Sequence, residues 1–254
     1  MTALYWKVVE RDAMAYRRMW LIFLTGFLEP LFFLLSIGLG VGHLVGGVRG
    51  PGGATVDYQI FVAPGLLAAT AMNGAVFDAT FNFFFKFKYS KSFAAMLATP
   101  LGTGDVARGE LAWALLRGTA YSGVFLLTMA LLGLTASPWA VLGLAAAALI
   151  GFGFAGAGMA ATTWMRSFVD FDYVNLALIP LFLFSGTFFP LSRYPAVLQW
   201  VVRCTPLYQG VALERALVLG HIEPVIVVHV AYLATMGAVG VRVAGRRLGL
   251  LLQP

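Results

Sequence analysis

Residues 183–220 read LFSGTFFPLSRYPAVLQWVVRCTPLYQGVALERALVLG. The stretch opens as the end of an apolar segment. It breaks at Ser185-Gly186, Pro190 and Pro195, turns apolar again, and breaks once more at Pro206. It carries Arg193, Arg203, Glu214 and Arg215 but has no long polar loop. It is too apolar to leave a membrane and too broken to cross one as a single helix. Non-helical backbone at membrane depth is tolerated only where protein or a water-filled cavity covers it. The stretch therefore reads as a re-entrant or interfacial hairpin between two spanning helices, and as a lid or one wall of a path.

The rest of the chain supplies the membrane. Of 254 residues, 60% are hydrophobic and 11% charged, and the mean hydropathy is +0.86. Soluble domains carry roughly 25% charge. The formal net charge of +6 fits basic residues held at one membrane face better than a nucleic-acid surface. The lone Cys204 excludes an internal disulfide framework and a cysteine zinc cluster. The first residues are mixed in charge and lack the pattern of a cleavable signal peptide. Residues 2–18 alternate apolar and charged positions and suit a helix lying in the interface, with Trp6 and Tyr16 at headgroup depth.

A spanning helix needs about 20 apolar residues. Six segments meet or approach that length: Trp20–Val41, Ile60–Phe81, Leu111–Leu134, Ala140–Thr162, the short Val174–Phe189, and Val225–Val243. The expected fold is an all-α membrane protein with six transmembrane helices. A glycine-rich stretch at 42–58 reads as a flexible loop. In a six-span arrangement twelve basic residues fall on one side: Lys7, Arg11, Arg17, Arg18, Lys86, Lys88, Lys91, Arg108, Arg166, Arg242, Arg246 and Arg247. The opposite side has Arg49, Arg193, Arg203 and Arg215. The positive-inside rule then puts both termini in the cytoplasm. The fourth segment holds Gly143, Gly151, Gly153, Gly156 and Gly158. These suit close helix contact, either inside one subunit or between two. No internal repeat is visible, which weakens the case for a self-sufficient secondary carrier.

Catalytic motifs are missing. There is no Walker A sequence, no H-E-x-x-H, and no metal-ligand spacing among His43, His221 and His229. Gly102-Thr103-Gly104-Asp105 matches the G-x-G-D of intramembrane aspartyl proteases. Asp105 follows Pro100 in a polar loop, however, and reads better as the cap of a helix starting near Val106. Polar residues inside the apolar segments are Glu29, Asn73, Asp78, Arg117, Asn175 and His229. Such groups usually face a bundle interior or a cavity. Glu29 has Arg117 or a group near the hairpin as candidate partner. Glu29, Asn73 and Asp78 are the candidates for a translocation path.

Two regions carry a family resemblance. One is Lys91–Glu110, KSFAAMLATPLGTGDVARGE. The other is Ser185-Gly-Thr-Phe-Phe-Pro-Leu191, with Pro195, Thr205-Pro-Leu-Tyr208 and Leu213-Glu-Arg-Ala-Leu217 behind it. In order and spacing they resemble the permease subunit of ABC-2 type exporters, in the branch with the nodulation-factor and daunorubicin-type drug exporters. The resemblance covers essentially the whole chain.

It implies a single ABC-2 type transmembrane domain over 1–254. Within it lie an interfacial helix at 2–18, a cytoplasmic coupling region at 82–110 and an external hairpin at 191–220. The coupling helix maps to 90–99. Phe93, Met96 and Leu97 are its expected docking side chains, Thr99 and Pro100 close it, and Lys88 and Lys91 steer the approach. The implied gate comprises Ser185, Gly186, Pro190, Pro195 and Pro206, with Glu214 and Arg215 as a charged pair. Glu214-Arg215 departs from the aliphatic-Arg pair expected there. The chain itself is then no enzyme and holds no metal or cofactor. ATP and Mg belong to a separate cytoplasmic ABC ATPase, present in two copies. Further implied partners are a second permease copy or a homologous sister permease, and membrane lipids, with no nucleic acid. The implied setting is the bacterial plasma membrane. The cargo would be hydrophobic or amphiphilic: a drug, a lipid-linked glycan or a lipo-oligosaccharide. A stand-alone channel or secondary carrier and an aspartyl protease are the competing readings.

Overall fold

In a computed structural model, the described residues are 4–17, 28, 31–50, 53 and 55–252. They are predominantly helical. Helix α1 is Tyr5–Tyr16. Helix α2 covers 31–45, with π-helical turns at Ser36–Val41. Glu29 and Pro30, and most of the first apolar segment before them, lie outside the described residues. A short antiparallel ribbon follows, β1 (Gly47–Arg49) on β2 (Thr55–Asp57), with Val48 opposite Val56. The described part of the glycine-rich stretch, read from sequence as a flexible loop, is thus a helix end and a short two-stranded ribbon within an otherwise helical membrane fold. Val48 and Val56 pack on the end of the bundle, which gives the ribbon the apolar support an isolated hairpin lacks.

Helix α3 runs through Tyr58–Tyr89. It passes the end expected at Phe81 and takes π-helical turns at Asp78–Asn82 and Phe85–Tyr89. Residues 82–89, the first part of the region expected to couple in the cytoplasm, continue the helix. It stops at Lys91, whose φ of 50° is the left-handed conformation. Next come α4 (Ser92–Leu97) and α5 (Thr103–Leu131). The backbone amide of Gly102 donates to Asp105 Oδ2 at 3.2 Å. Asp105 therefore caps α5 from inside its first turn, three residues after the capping position. Helix α6 is Pro138–Thr162, entered through Ser137, whose Oγ accepts from the Trp139 amide. Then follow α7 (Asp170–Leu183), α8 (Ala196–Cys204), α9 (Pro206–Leu219) and α10 (Ile226–Leu252). Pro206 stands in the first turn of α9, and Gly220 ends that helix at φ 77°, as expected for a proline start and a left-handed glycine stop.

Among the described residues, α3, α5, α6 and α10 are long and apolar enough to cross a membrane. Their exposed surfaces are apolar too. Leu131, Val141 and Val227 stand 79%, 77% and 71% open, which water would not tolerate over so wide an area. Successive long helices run in alternate directions. One end of the bundle gathers α1, the start of α5 and the end of α10: Val8 touches Gly109, and Gly249 lies near Thr103. Both described chain ends therefore lie at that end. The other end gathers the start of α6 and the end of α9, where the amide of Ala136 donates to Val218 O.

Helix α3 is the axis. Met72, Ala75 and Phe83 join Ile150, Leu207 and Leu233 in one core, while Phe61 and Leu67 join Phe125 and Met129 in another. The glycines of α6 serve contact inside the subunit. A Cβ on Gly156 would stand 2.5 Å from Gly237 O, and one on Gly240 would stand 2.3 Å from Gly156 C. Backbones of α6 and α10 touch there, the close approach that small residues permit.

Candidate functional site

A cavity of about 800 Å³ lies along α3, between α7 and Phe33 of α2. Polar groups line it sparsely: Thr70 and Asn73 of α3, Arg117 and Tyr121 of α5, and Asn175 of α7. Phe33, Phe77, Phe81, Phe171 and Phe182 supply much of the remaining wall. A mostly apolar cleft with a few convergent polar groups suits an amphiphile. Helix α7 forms one side and buries none of its own residues. Of the proposed path residues, Asn73 faces this cavity. Asp78 does not. It stands behind the wall, with Arg117 Nη1 at 3.0 Å from its Oδ1. Arg117 thus has Asp78 as a partner. The guanidinium also lies over the rings of Tyr16 and Tyr121, at 5.1 and 5.6 Å.

Behind that wall runs a polar seam. Asp78, Asn82 and Lys86 follow at four-residue spacing on one face of α3, and Asp12 and Tyr16 do so on α1. Asn82 Nδ2 donates to Tyr16 Oη at 3.0 Å and also to Asp78. Lys86 Nζ donates to Asp12 Oδ2 at 2.7 Å and to Glu110 Oε2 at 2.6 Å. Arg11 Nη2 reaches the other Asp12 oxygen at 2.7 Å. The Asp12 side chain is 1% exposed and that of Glu110 6%. Tyr16, expected at headgroup depth, instead turns inward to Asn82 and packs against Trp113, 5.3 Å between ring centroids. Trp6 is exposed.

At the same end, α4 sits within 90–99. Phe93 is fully buried, with its ring 5.0 Å from that of Phe83, and Met96 is buried as well. Two of the three expected docking side chains thus anchor α4 to its own chain. Leu97 is half-buried against the same core. Exposed here are Lys88, Lys91, Ala94, Ala95, Ala98, Thr99 and Pro100. The phenylalanines before α4 share no single face either: Phe83 and Phe84 are buried, Phe87 is half-buried, and Phe81 and Phe85 are exposed.

At the opposite end the chain turns at Ser185-Gly186, where Gly186 has φ 76°. Ser185 Oγ donates to Phe182 O at 3.0 Å and lies 2.8 Å from Thr187 Oγ1. The turn sits on α3 so closely that a Cβ on Gly65 would meet Thr187 Cγ2 at 2.9 Å. Arg215 of α9 clamps it. Its guanidinium donates to Gly186 O at 2.9 Å, Phe61 O at 3.2 Å and Thr187 O at 3.4 Å, and lies 3.9 Å from the Phe61 ring centroid. Glu214 faces elsewhere. It is fully buried, its two oxygens have no hydrogen-bond partner among the described residues, and Oε2 would stand 2.9 Å from a Cβ on Gly143. Glu214 and Arg215 are therefore not a charged pair. Adjacent positions on a helix point about 100° apart, so the two meet different neighbours. Pro190 and Pro195 flank a short 3-10 turn at Leu191–Arg193, and Pro195 leads into α8.

Sequence reasoning missed Asp12 and Glu110, and placed Lys86 in a loop. The four-residue spacing from Asp78 to Lys86 was the available signal.

These features define a multi-pass helical membrane protein with a mostly apolar cavity beside α3. Residues 3–219 match the family described as ABC-2 type transporter. The chain belongs to that family and is the membrane permease type of transport protein. It is 34% identical over 222 residues to nodulation protein J of Rhizobium leguminosarum bv. trifolii, covering 86% of this chain and 83% of the relative. It is 30% identical over 233 residues to the protein of that name in R. leguminosarum bv. viciae, covering 91% and 88%. Against the one from Rhizobium meliloti it is 31% identical over 215 residues, covering 84% and 80%.

Proposed function

We propose that this chain is the membrane subunit of an ATP-driven exporter. It moves a hydrophobic or amphiphilic cargo such as a drug, a lipid-linked glycan or a lipo-oligosaccharide outward across a bacterial plasma membrane. The observation that carries this reading is the cavity of about 800 Å³ beside α3, apolar with sparse polar groups. Six spans cross the membrane, α1 lies at the cytoplasmic interface, and both termini are cytoplasmic. α8 and α9 form a re-entrant hairpin on the outer side. Two copies of the permease, or one with a sister permease, work with two copies of a separate ATPase that binds ATP and Mg.

The ATPase meets α4 on its exposed ridge of Ala94, Ala95 and Ala98, beside Thr99 and Pro100, with Lys88 and Lys91 steering the approach. Phe93 and Met96 stiffen that ridge from beneath. When the ATPases close, the ridges are driven together. The cavity then opens outward past the clamped turn at Ser185–Thr187, with Pro195 and Thr205-Pro206 as hinges. The test is co-purification with the ATPase, followed by ATP hydrolysis measured with and without this chain. Ala95→Asp should remove the ATPase and leave the permease folded. Full retention of the ATPase by that variant would refute the ridge as the docking surface.

A further inference from the structure

The seam behind the cavity wall joins two sites that the proposed function treats separately. Its outermost part is the triad Asp12–Lys86–Glu110, contributed by α1, the end of α3 and the start of α5. Lys86 lies five residues before Lys91, where the left-handed turn begins α4. Its innermost part is Asp78–Arg117, and Arg117 lines the cavity. Asn82, one turn before Lys86 on α3, donates to Asp78 and to Tyr16, which stands one turn after Asp12 on α1. Between Asp78 and Lys86 the helix is π-turned, a geometry that often marks functional stretches because it leaves backbone bonds free to shift. On the Lys86 side, one ammonium holds two carboxylates from two other helices. These are charge-assisted hydrogen bonds, about twice as strong as neutral ones, and they tie the end of α3 to α1 and to α5 through one side chain.

From this geometry we infer that Asp12, Lys86 and Glu110 are positioning residues for energy coupling: they bind α1 and α5 to the segment that carries α4, so that a displacement of α4 reaches the cavity through Asn82 and the Asp78–Arg117 pair. The inference rests on the reading of α4 as the ATPase contact. A triad that only held the bundle together would need no continuation to the cavity wall. Here the contacts run from Lys86 to Asp12, then along one turn of α1 to Tyr16, and from Tyr16 through Asn82 to Asp78 and Arg117. The triad is also closed in charge. Lys86 and the half-exposed Arg11 balance Asp12 and Glu110, so nothing in it calls for an added ion.

The test uses the full permease with the ABC ATPase that co-purifies with it, in lipid nanodiscs. Cys204, exposed and free, is changed to Ser, and Asn175→Cys reports from the cavity. Maleimide labelling of that reporter is compared without nucleotide and with ATP plus vanadate. With the triad intact, the labelling rate should change several-fold. Lys86→Met should keep the ATPase bound and lose that change. Lys86→Arg should keep the change, because a guanidinium can still donate to both Asp12 and Glu110. If Lys86→Met fails to fold, the isosteric Glu110→Gln decides the matter by a reduced change. A full change in Lys86→Met or Glu110→Gln overturns the inference, as does loss of the change in Lys86→Arg. An intact triad whose reporter does not respond to ATP also overturns it. So does loss of the ATPase from Lys86→Met, which would make the triad part of the docking scaffold and leave the docking reading standing. If no ATPase co-purifies with the unaltered chain, the docking reading falls and the inference falls with it.

Discussion

The two ends of the bundle bury charge in opposite ways. At the end that holds both described chain ends, charge meets charge. Lys86 lies between Asp12 and Glu110, and Arg117 pairs with Asp78. At the other end no buried charge meets another. Arg215 donates to three backbone carbonyls, and Glu214, its neighbour in sequence, has no partner among the described residues. The difference follows from what each end must hold. Near α1 the seam joins three helices, α3 being π-turned there, whose backbone bonds run within each helix, so side chains bind one helix to the next. At Ser185–Thr187 the chain is non-helical and buried, and its carbonyls need donors. A guanidinium with five N–H groups in a planar fork answers that need from a single residue.

The comparison breaks most readily at Arg215. Arg215→Met leaves the carbonyls of Phe61, Gly186 and Thr187 short of donors. A buried unsatisfied carbonyl costs about 1–3 kcal/mol, so the loss should be roughly 4 kcal/mol. Thermal unfolding in detergent should show a drop in Tm on the order of 10 °C. Arg215→Lys should recover only part of it, because one ammonium cannot span the fork. A melting temperature that does not move would show that the turn finds other donors.

The seam comes next. Lys86→Met leaves Asp12 and Glu110 facing each other without their shared cation. Breaking a buried pair costs about 3–5 kcal/mol. The Lys86 side chain is 13% exposed and Arg11 still reaches Asp12, so about 2 kcal/mol is expected, read by the same melt. Glu214 should respond with the opposite sign. Glu214→Met removes a carboxyl whose desolvation nothing offsets and fills the site with apolar volume. Stability should be unchanged or rise by about 1 kcal/mol. If that variant melts clearly lower, Glu214 has a bonded partner and the contrast between the two ends disappears. If it melts higher but exports less, Glu214 is retained for transport at a cost in stability.

How much of this was legible in the sequence depends on which physical signal each part uses. Long apolar runs announce themselves, so α3, α5, α6 and α10 were found with shifted ends. Where α3 stops was misread because Lys86 and Lys88 look like loop residues, while buried carboxylates let the helix continue past Lys86. The breaks at Ser185-Gly186, Pro195 and Pro206 were legible because glycine and proline act locally. What Arg215 and Glu214 do was not legible, since adjacent residues on a helix meet different neighbours and the sequence does not say which. Phe93 and Met96 show the same limit. Their spacing marks one face of α4, but whether that face turns to the core or to a partner is decided by packing. Asn73 was picked out as a polar residue in an apolar run and does line the cavity. Asp78 was picked out on the same ground and lies behind the wall, because its partner Arg117 sits on another helix.

The smallest effect should come from a carboxylate bonded much as Arg215 is but left in water. Asp170 opens α7 ahead of the fifth apolar segment, and its Oδ2 accepts from the backbone amides of Arg166 and Ser167 at 2.6 and 3.1 Å. These bonds favour the charged form and hold its carboxyl below the ordinary value of 3.8. A lowered carboxylate contributes stability that is present above its unfolded value and is lost as pH falls through the folded one. Asp170 should therefore leave the melting temperature flat near neutrality and lower it only when pH drops below 3.8. Asp170→Asn keeps an acceptor oxygen but not the charge, so it should remove that acid-side slope while shifting the neutral melt little, since water replaces lost bonds at an exposed site. A neutral-pH loss as large as that of Arg215→Met would show that bond count, not burial, sets these energies, and the contrast between the two ends would need another explanation.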